Sequence, residues 1–405
     1  MERVKYLILG AGPSGLAFGR ALKDKGENSF IILEKEVTAG GLCRSTDVDG
    51  SPFDIGGGHF LDVRRSSVNE FLFRFMPKEE WKYFERDSRI KINQITVGHP
   101  FEANIWQLDV EEQVAYLTSI AKAGCNREMP KPEKFVDWIK WKLGDKVAED
   151  YMLPYNRKMF ADELNELGTY WLEKLPDVSF EETLMSCLMH KPYGTQPGHA
   201  SFYYPKKYGY GEVWLRIAET MKGHILYEKQ VSCIDIENKK VTTVSEEAFE
   251  AQTIITTIPW AEFKVMKGMP RELADSVKLL KSSAVETRYV AKQLDTKAQW
   301  IYIPSPDIPY HRILVRHNFC TGSKGYWLET RKERTGSYQK ESYHYMNEYA
   351  YPLNTIKKPQ IMKELLEFCR LKQVYGLGRW GEHSHYNSDV VVELAMKLAE
   401  EITGK

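Results

Sequence analysis

The strongest constraint on the fold lies at the start of the chain. Val4 to Leu9 is an apolar, β-rich run of the kind that forms a buried parallel strand. It leads directly into Gly10-Ala11-Gly12-Pro13-Ser14-Gly15, followed by a helical pattern carried by Leu16, Ala17, Ala21 and Leu22. A second apolar run, Phe30 to Leu33, ends on Glu34, 24 residues after the first glycine. This is a GxGxxG turn set between strand and helix, with an acid closing the second strand. Gly10 permits the tight turn, Gly12 lets backbone approach a pyrophosphate, and Gly15 allows helix and strand to pack closely. The helix N–H groups face the phosphates, and Glu34 accepts from ribose hydroxyls. The expectation is a dinucleotide-binding βαβ unit.

Composition narrows the partners. The 56 basic and 56 acidic residues cancel, and no basic block occurs, so a nucleic-acid surface is not expected. Six cysteines stand far apart without a CxxC pair, and the chain has no Asn-x-Ser/Thr sequon. A reducing, cytoplasmic setting without disulfides or a zinc ribbon is expected. No apolar run reaches the ~20 residues of a membrane span, and the short run after the N-terminus reads as a strand rather than a leader. His383 and His385 lack a ligand set, so no metal is expected.

The 405 residues allow two or three domains at about 150 each. Helical stretches are expected around Val110–Ala123, Lys134–Trp141 and Asp145–Tyr151. Another is expected through Trp214, Ile217 and Met221. Short strands are expected at Ile225-Leu226, Val231–Ile236, Val241–Val244 and Thr253–Ile258. An antiparallel set including Trp300–Ile303 and Arg312–Val315 is expected between Tyr289 and Trp327. Residues 376–381 spell a second GxGxxG, but only 24 residues come after it, too few for another βαβ unit. It reads as a strand, loop and helix completing the first domain, with Asn387 or Ser388 capping the last helix.

Ordered motifs point to a family. After Glu34-Lys35 come Gly40-Gly41-Leu42-Cys43-Arg44 and then Phe53-Asp54-Ile55-Gly56-Gly57-Gly58-His59. This succession resembles the flavoprotein superfamily of UDP-galactopyranose mutase, protoporphyrinogen oxidase and the amine oxidases. His99-Pro100-Phe101-Glu102-Ala103-Asn104 is similar to the Tyr-Pro-Phe-Gln-Asn-Asn stretch of the mutases. Pro154-Tyr155-Asn156-Arg157-Lys158-Met159-Phe160 is similar to their Pro-Tyr-Asn-x-Lys-x-Trp, and Pro309-Tyr310-His311-Arg312 to Pro-Phe-Tyr-Arg. Tyr351-Pro352 and Gly378-Arg379-Trp380-Gly381 resemble their late Tyr-Pro and Gly-Arg-Phe-Gly elements. The order holds over nearly the whole chain. His99 and Glu102 stand where the eukaryotic mutase pattern has Tyr and Gln, Lys174 replaces an Arg, and the segment Glu382–Asp389 is shortened.

The resemblance implies an α/β fold. A Rossmann-like FAD-binding domain is expected from residues 1–90, 200–265 and 365–405. A helical insertion is expected at 105–199, and an antiparallel β-sheet substrate domain at 91–104 plus 266–364. It implies FAD held by Gly10, Gly12, Ser14, Gly15, Glu34, Lys35, Gly41, Leu42, Arg44, Gly57, Gly58, His59, Val231, Gly378, Arg379, Asp389 and Val390. His59, Arg312 and Arg379 are the implied catalytic residues, the two arginines gripping a diphosphate through their planar forks. Tyr155, Asn156, Trp171, Lys174, Tyr310, Tyr351 and Tyr386 join Arg312 in lining the substrate cleft. The implied reaction interconverts pyranose and furanose rings of a nucleotide sugar through a reduced-flavin N5–sugar adduct, serving surface polysaccharide biosynthesis. Two alternatives stay open at this point: an FAD oxidoreductase of the amine oxidase or protoporphyrinogen oxidase type, and a non-catalytic FAD-binding partner of a membrane assembly.

Overall fold

A computed structural model describes residues 3–92, 94–172, 178–194, 200–320, 322–336 and 342–404. The expected βαβ opening is present. The strand Arg3–Leu9 feeds the helix Pro13–Asp24, which returns to Phe30–Leu33 parallel to the first strand. Pro13 suits the first helical turn, where its missing N–H breaks no bond. Gly15 is required by close approach: a Cβ there would lie 2.0 Å from the Gly10 carbonyl oxygen.

Those strands sit in an eight-stranded sheet. In spatial order it runs Ile225–Leu226, Phe30–Leu33, Arg3–Leu9, Ala248–Thr256, Lys240–Thr243, Val231–Asp235 and Val265–Lys267. Ala248–Thr256 serves two partners along one edge. Its first residues pair antiparallel with Lys240–Thr243, and Ile254–Thr256 pair parallel with Val374–Gly376. The second GxGxxG thus begins on a strand of this sheet. The last helix, Ser388–Thr403, packs beside Pro13–Asp24. The buried residues Leu16, Phe18, Phe30, Ile32, Trp214, Ile255, Val392 and Ala395 belong to one core beneath it.

A seven-stranded sheet lies apart in the order His344–Pro352, Ser282–Val290, Tyr326–Arg331, Arg312–Leu314, Trp300–Tyr302, Ser88–Ile92 and Ile95–Gly98. Strand alternation sorts its faces. Ile301, Ile313 and Leu328 pack in a satellite cluster, whereas Trp300, Leu314 and Trp327 join the first core. Arg312 pairs in register with Glu329, two residues along from Leu314 and Trp327, so both share the face toward the first sheet. A third core joins Ile90, Val97 and Tyr302 of this sheet to helical Tyr116, Ile139 and Tyr155.

The helical part differs from expectation in detail. The two stretches expected at 134–141 and 145–151 are both helical, the second running on through Ala148–Met152 into Leu153–Met159, and the path between them is kinked. It bends at Gly144, whose φ of +77° lets the chain turn against the Ser119 carbonyl. Helices at Phe180–Met189 and Lys358–Leu371 were not anticipated. The first carries a legible capping box between Ser179 and Glu182. Among the described residues, no helix is long and apolar enough to cross a membrane.

Arg316 ties the seven-stranded sheet to the short Ser51–Asp54 strand. It is fully buried, its guanidinium lying 4.1 Å from the Trp327 ring centroid and 4.7 Å from that of Tyr204. It donates to the Pro52 carbonyl and sits 3.7 Å from the buried Asp54 carboxylate. Asp54 also accepts from Tyr204 Oη and the Tyr210 N–H. Replacing Arg316 by Leu strands the Asp54 charge. Unfolding free energy in urea is expected to fall by about 3–5 kcal/mol, with Asp54→Asn recovering part of it.

Candidate active site

The first sheet's C-terminal edge opens into a cleft with a cavity of about 320 Å³. Of the residues expected to hold FAD, Gly10, Gly12, Ser14, Glu34, Lys35, Gly41, Leu42, Arg44, His59, Val231 and Arg379 line it, and Tyr386 joins them. Gly15 lies underneath, against Gly10. Gly378 packs on Ser14, and Gly58 on Leu314 and Trp300. Asp389 is buried and accepts from Arg65 Nε at 2.6 Å. Neither it nor Val390 is among the lining residues, whereas Asn387, Ser388 and Val391 are.

Local geometry suits an extended dinucleotide. The helix Pro13–Asp24 starts at Gly12 without a side-chain cap, so its N-terminal end faces the cleft with N–H capacity for an anion. Gly41 is so near that a Cβ on it would sit 3.0 Å from Gly12 Cα, leaving a backbone-walled slot. Glu34 accepts from the Ala11 N–H at 2.7 Å and the Glu36 N–H at 3.0 Å. Burial raises its carboxyl pKa despite these bonds. Arg44 is tied to Glu36 at 3.0 Å and to Tyr345 Oη at 2.8 Å.

Part of the cleft came from segments not singled out as cofactor-binding. Lys229 and Gln230 precede Val231, and Thr257, Ile258, Pro259 and Glu262 follow the long central strand. The apolar run ending at Ile258 carried a signal for the latter. Tyr345–Tyr349 carried none. That strand belongs to the other sheet and is brought in by Arg44–Tyr345 and by Asn347 donating to the Ile55 carbonyl at 2.7 Å.

Arg379 and Arg312 stand differently. Arg379 donates from Nε to the Tyr386 carbonyl at 3.0 Å and from Nη1 to the Ala350 carbonyl at 3.1 Å. It has no carboxylate partner among the described residues, and burial lowers its pKa. Arg312 is paired: Nη2 lies 2.5 Å from Glu329 Oε2, Nε donates to the same oxygen, and Nη2 donates to Tyr351 Oη at 3.2 Å. Burial works to raise the Glu329 carboxyl, yet Arg312 and His311 hold it at about 2. Gly57 is glycine for the sake of this pair, because a Cβ there would meet Glu329 Oε1 at 2.0 Å. His59, next along that loop, is pushed down to about 4 by burial and by Arg379, with Arg312 adding to the effect.

Tyr155 meets Tyr302 edge-on at 5.5 Å and His311 at 6.1 Å. Tyr351 stacks obliquely with His385 at 4.9 Å. Asn156 is buried and donates to the Met152 carbonyl. Trp171 packs between Phe135 and Phe160 and donates to the Gly168 carbonyl. Tyr310 packs with the Ile303–Ile313–Val315 cluster, apart from Arg312 and Tyr351. Lys174 lies outside the described residues. Among those residues, no three His, Cys, Asp or Glu side chains are grouped to hold a metal ion.

Comparison with known proteins gives the class. The model of the flavin-containing amine oxidoreductase family matches residues 13–298. The chain belongs to that family, and its cofactor is a flavin. A crystal structure of reduced UDP-galactopyranose mutase superposes with a TM-score of 0.90, at 21% identity over 100% of this chain and 94% of that one. Putrescine oxidase bound to putrescine superposes at 0.65, with 14% identity over 100% of both chains. Cyclohexylamine oxidase from Brevibacterium oxydans IH-35A superposes at 0.67, with 16% identity over 99% of both. In sequence, an uncharacterized protein in the nifH2 3' region of Methanothermococcus thermolithotrophicus is 43% identical over 93 residues, 22% of this chain and 89% of that one.

Burial holds His59 and His383 at about 4 and His99 at about 3 in the folded chain, against about 6.5 unfolded. Each pKa is depressed on folding, so the unfolded state binds more protons below pH 6.5. The urea midpoint is expected to hold above pH 7 and fall from 6.5 toward 4. His383→Gln is expected to shallow that fall.

Proposed function

We propose that the chain is an FAD-dependent sugar-nucleotide mutase, interconverting pyranose and furanose rings of a UDP-galactose-type substrate and working with the reduced cofactor. The observation that carries this reading is Arg379, a partly buried guanidinium at the cleft wall held by backbone carbonyls and without a carboxylate partner among the described residues. A buried cation without a counter-charge is costly, and a bound anion relieves it. Arg312 supplies a second guanidinium within electrostatic reach of the same His59 and Tyr351. Two planar forks suit a diphosphate. The likeness to reduced UDP-galactopyranose mutase agrees in fold.

In this reading the Gly10–Gly15 turn and its helix bind the FAD pyrophosphate, and Glu34 the adenosine ribose. Arg44 and Val231 line the adenosine end, while Gly41, Leu42, Gly57, Gly58 and His59 flank the flavin. A reduced flavin held there would supply nucleophilic chemistry at the sugar's anomeric carbon. Arg379 and Arg312 stabilise the departing diphosphate and retain it for return. Tyr351 fixes the Arg312 fork, and neutral His59 offers a hydrogen bond beside the flavin without adding charge. Tyr155, with Tyr386, walls the sugar.

Amine oxidation is the competing chemistry within the family. Burial is the main cause of the depressed His59 value, with Arg379 adding to it, and that nearby guanidinium repels an ammonium substrate. Anaerobic incubation of dithionite-reduced protein with UDP-galactose, followed by chromatography, separates the two. Furanose product that appears only with reduced flavin is the expected result. No binding or turnover, together with bleaching of the oxidised flavin by amines, overturns the reading.

Two substitutions extend the test. Arg379→Ala is expected to lower kcat/KM by about 100-fold or more, corresponding to about 3 kcal/mol, with Arg379→Lys intermediate. Glu34→Ala is expected to weaken FAD retention roughly tenfold or more, read as flavin fluorescence released on dilution.

A further inference from the structure

Behind Arg312 lies hydrogen-bonding capacity that the proposed substrate contacts leave unused. His311 and Glu329 are 0% and 1% exposed. His311 Nδ1 and Nε2 and Glu329 Oε1 have no hydrogen-bond partner among the described residues. His311 Nε2 lies 3.5 Å from Glu329 Oε2, the oxygen that receives Arg312. That separation is too long for a good hydrogen bond and closes with a small rotation.

The surroundings fix the charge state. Glu329 faces His311 from the Tyr326–Arg331 strand and Arg312 from its own strand. Lys158 and Tyr155 face it from the Leu153–Met159 helix. Lys158 donates to the carbonyls of Ile303 and Ser305, and burial with Arg334 nearby brings it to about 7. Burial keeps His311 below the usual imidazole value. The group therefore rests as cationic Arg312, anionic Glu329 and neutral His311.

We propose that His311 and Glu329 form a proton-accepting pair that takes up one proton from solvent when a diphosphate ester binds Arg312. This rests on the reading of the cleft as a nucleotide-diphosphate site. An incoming dianion held by Arg379 also competes with Glu329 for the Arg312 guanidinium, so the carboxylate shares its counter-charge with the ligand. A proton on His311 Nε2, directed at Glu329 Oε2, replaces the attraction that Glu329 loses and gives Nε2 a partner. The only bond formed is that N–H, and the proton returns to solvent when the ligand leaves. His311 acts through Glu329 and is a positioning residue.

UDP-galactose is the suitable probe, because its diphosphate diester carries no proton that titrates near neutrality. Calorimetric titration of the oxidised holoprotein in phosphate and in Tris at one pH counts protons from the difference in enthalpy. Uptake of about one proton is expected, with Kd weakening by up to tenfold per pH unit between about pH 6.5 and 8.5. His311→Phe and His311→Gln, with flavin spectra unchanged, are expected to bind with uptake near zero and a flattened pH slope. Lys158→Met is expected to keep the uptake. Equal enthalpies in the two buffers with a flat pH slope in the parent protein overturn the pairing. So does undiminished uptake in the His311 variants, or its loss in Lys158→Met. Binding without uptake thus fails the pairing alone, whereas no binding by the parent protein overturns the diphosphate reading and the pairing with it.

Discussion

The backbone contact between Gly15 and Gly10 is the constraint on which the rest is built. A helix can start directly on the end of the first strand only if nothing projects between them, and a single Cβ would close the gap. Once seated, that helix turns its uncapped N-terminus toward the sheet's C-terminal edge. The turn positions Glu34 against the Ala11 N–H and leaves a side for Ser388–Thr403 to pack upon. A fixed row of N–H groups beside a buried carboxylate suits an adenine dinucleotide, whatever chemistry its other end performs.

That chemistry is set where the second sheet meets the first. Glu329 reaches the Gly57 backbone, Asn347 the Ile55 carbonyl and Arg316 the Pro52 carbonyl, so one loop near the flavin cleft is held from across the interface. The two arginines then do unlike things. Arg312 carries its own counter-charge, which stiffens it, while Arg379 is held by carbonyls and keeps its charge available. A site with one satisfied and one unsatisfied guanidinium holds itself together empty and still gains from an anion.

Much of this is legible along the chain because it is local. The strand at Val4–Leu9, the glycine turn, Glu34 and the last helix come from periodicity and spacing. The second GxGxxG reads as a strand, loop and helix of the first sheet. The structure places Val374–Gly376 on that sheet. The helical stretch from 135 to 159 is legible as two helices, and the structure places the kink between them at Gly144. The Tyr345–Tyr349 wall is not legible, because nothing in that strand marks which of its faces meets a cofactor. Motif resemblance draws Tyr310 and Trp171 toward the cleft; Trp171 packs in the cluster that also holds Tyr155 and Tyr351, and Tyr310 against Ile303, Ile313 and Val315.

The sequence by itself determined the nucleotide-binding unit and the family, because a tight turn, a helix start and a terminal acid depend on residues near one another in the chain. The tertiary structure decided which charges are spent and which are free. Arg312 and Arg379 look alike as arginines in short motifs, and only the pairing of distant strands gives Glu329 to one, while the other meets the Ala350 and Tyr386 carbonyls. Burial likewise decided which histidines are neutral, because desolvation depends on everything that surrounds a ring and on little that lies beside it in the chain.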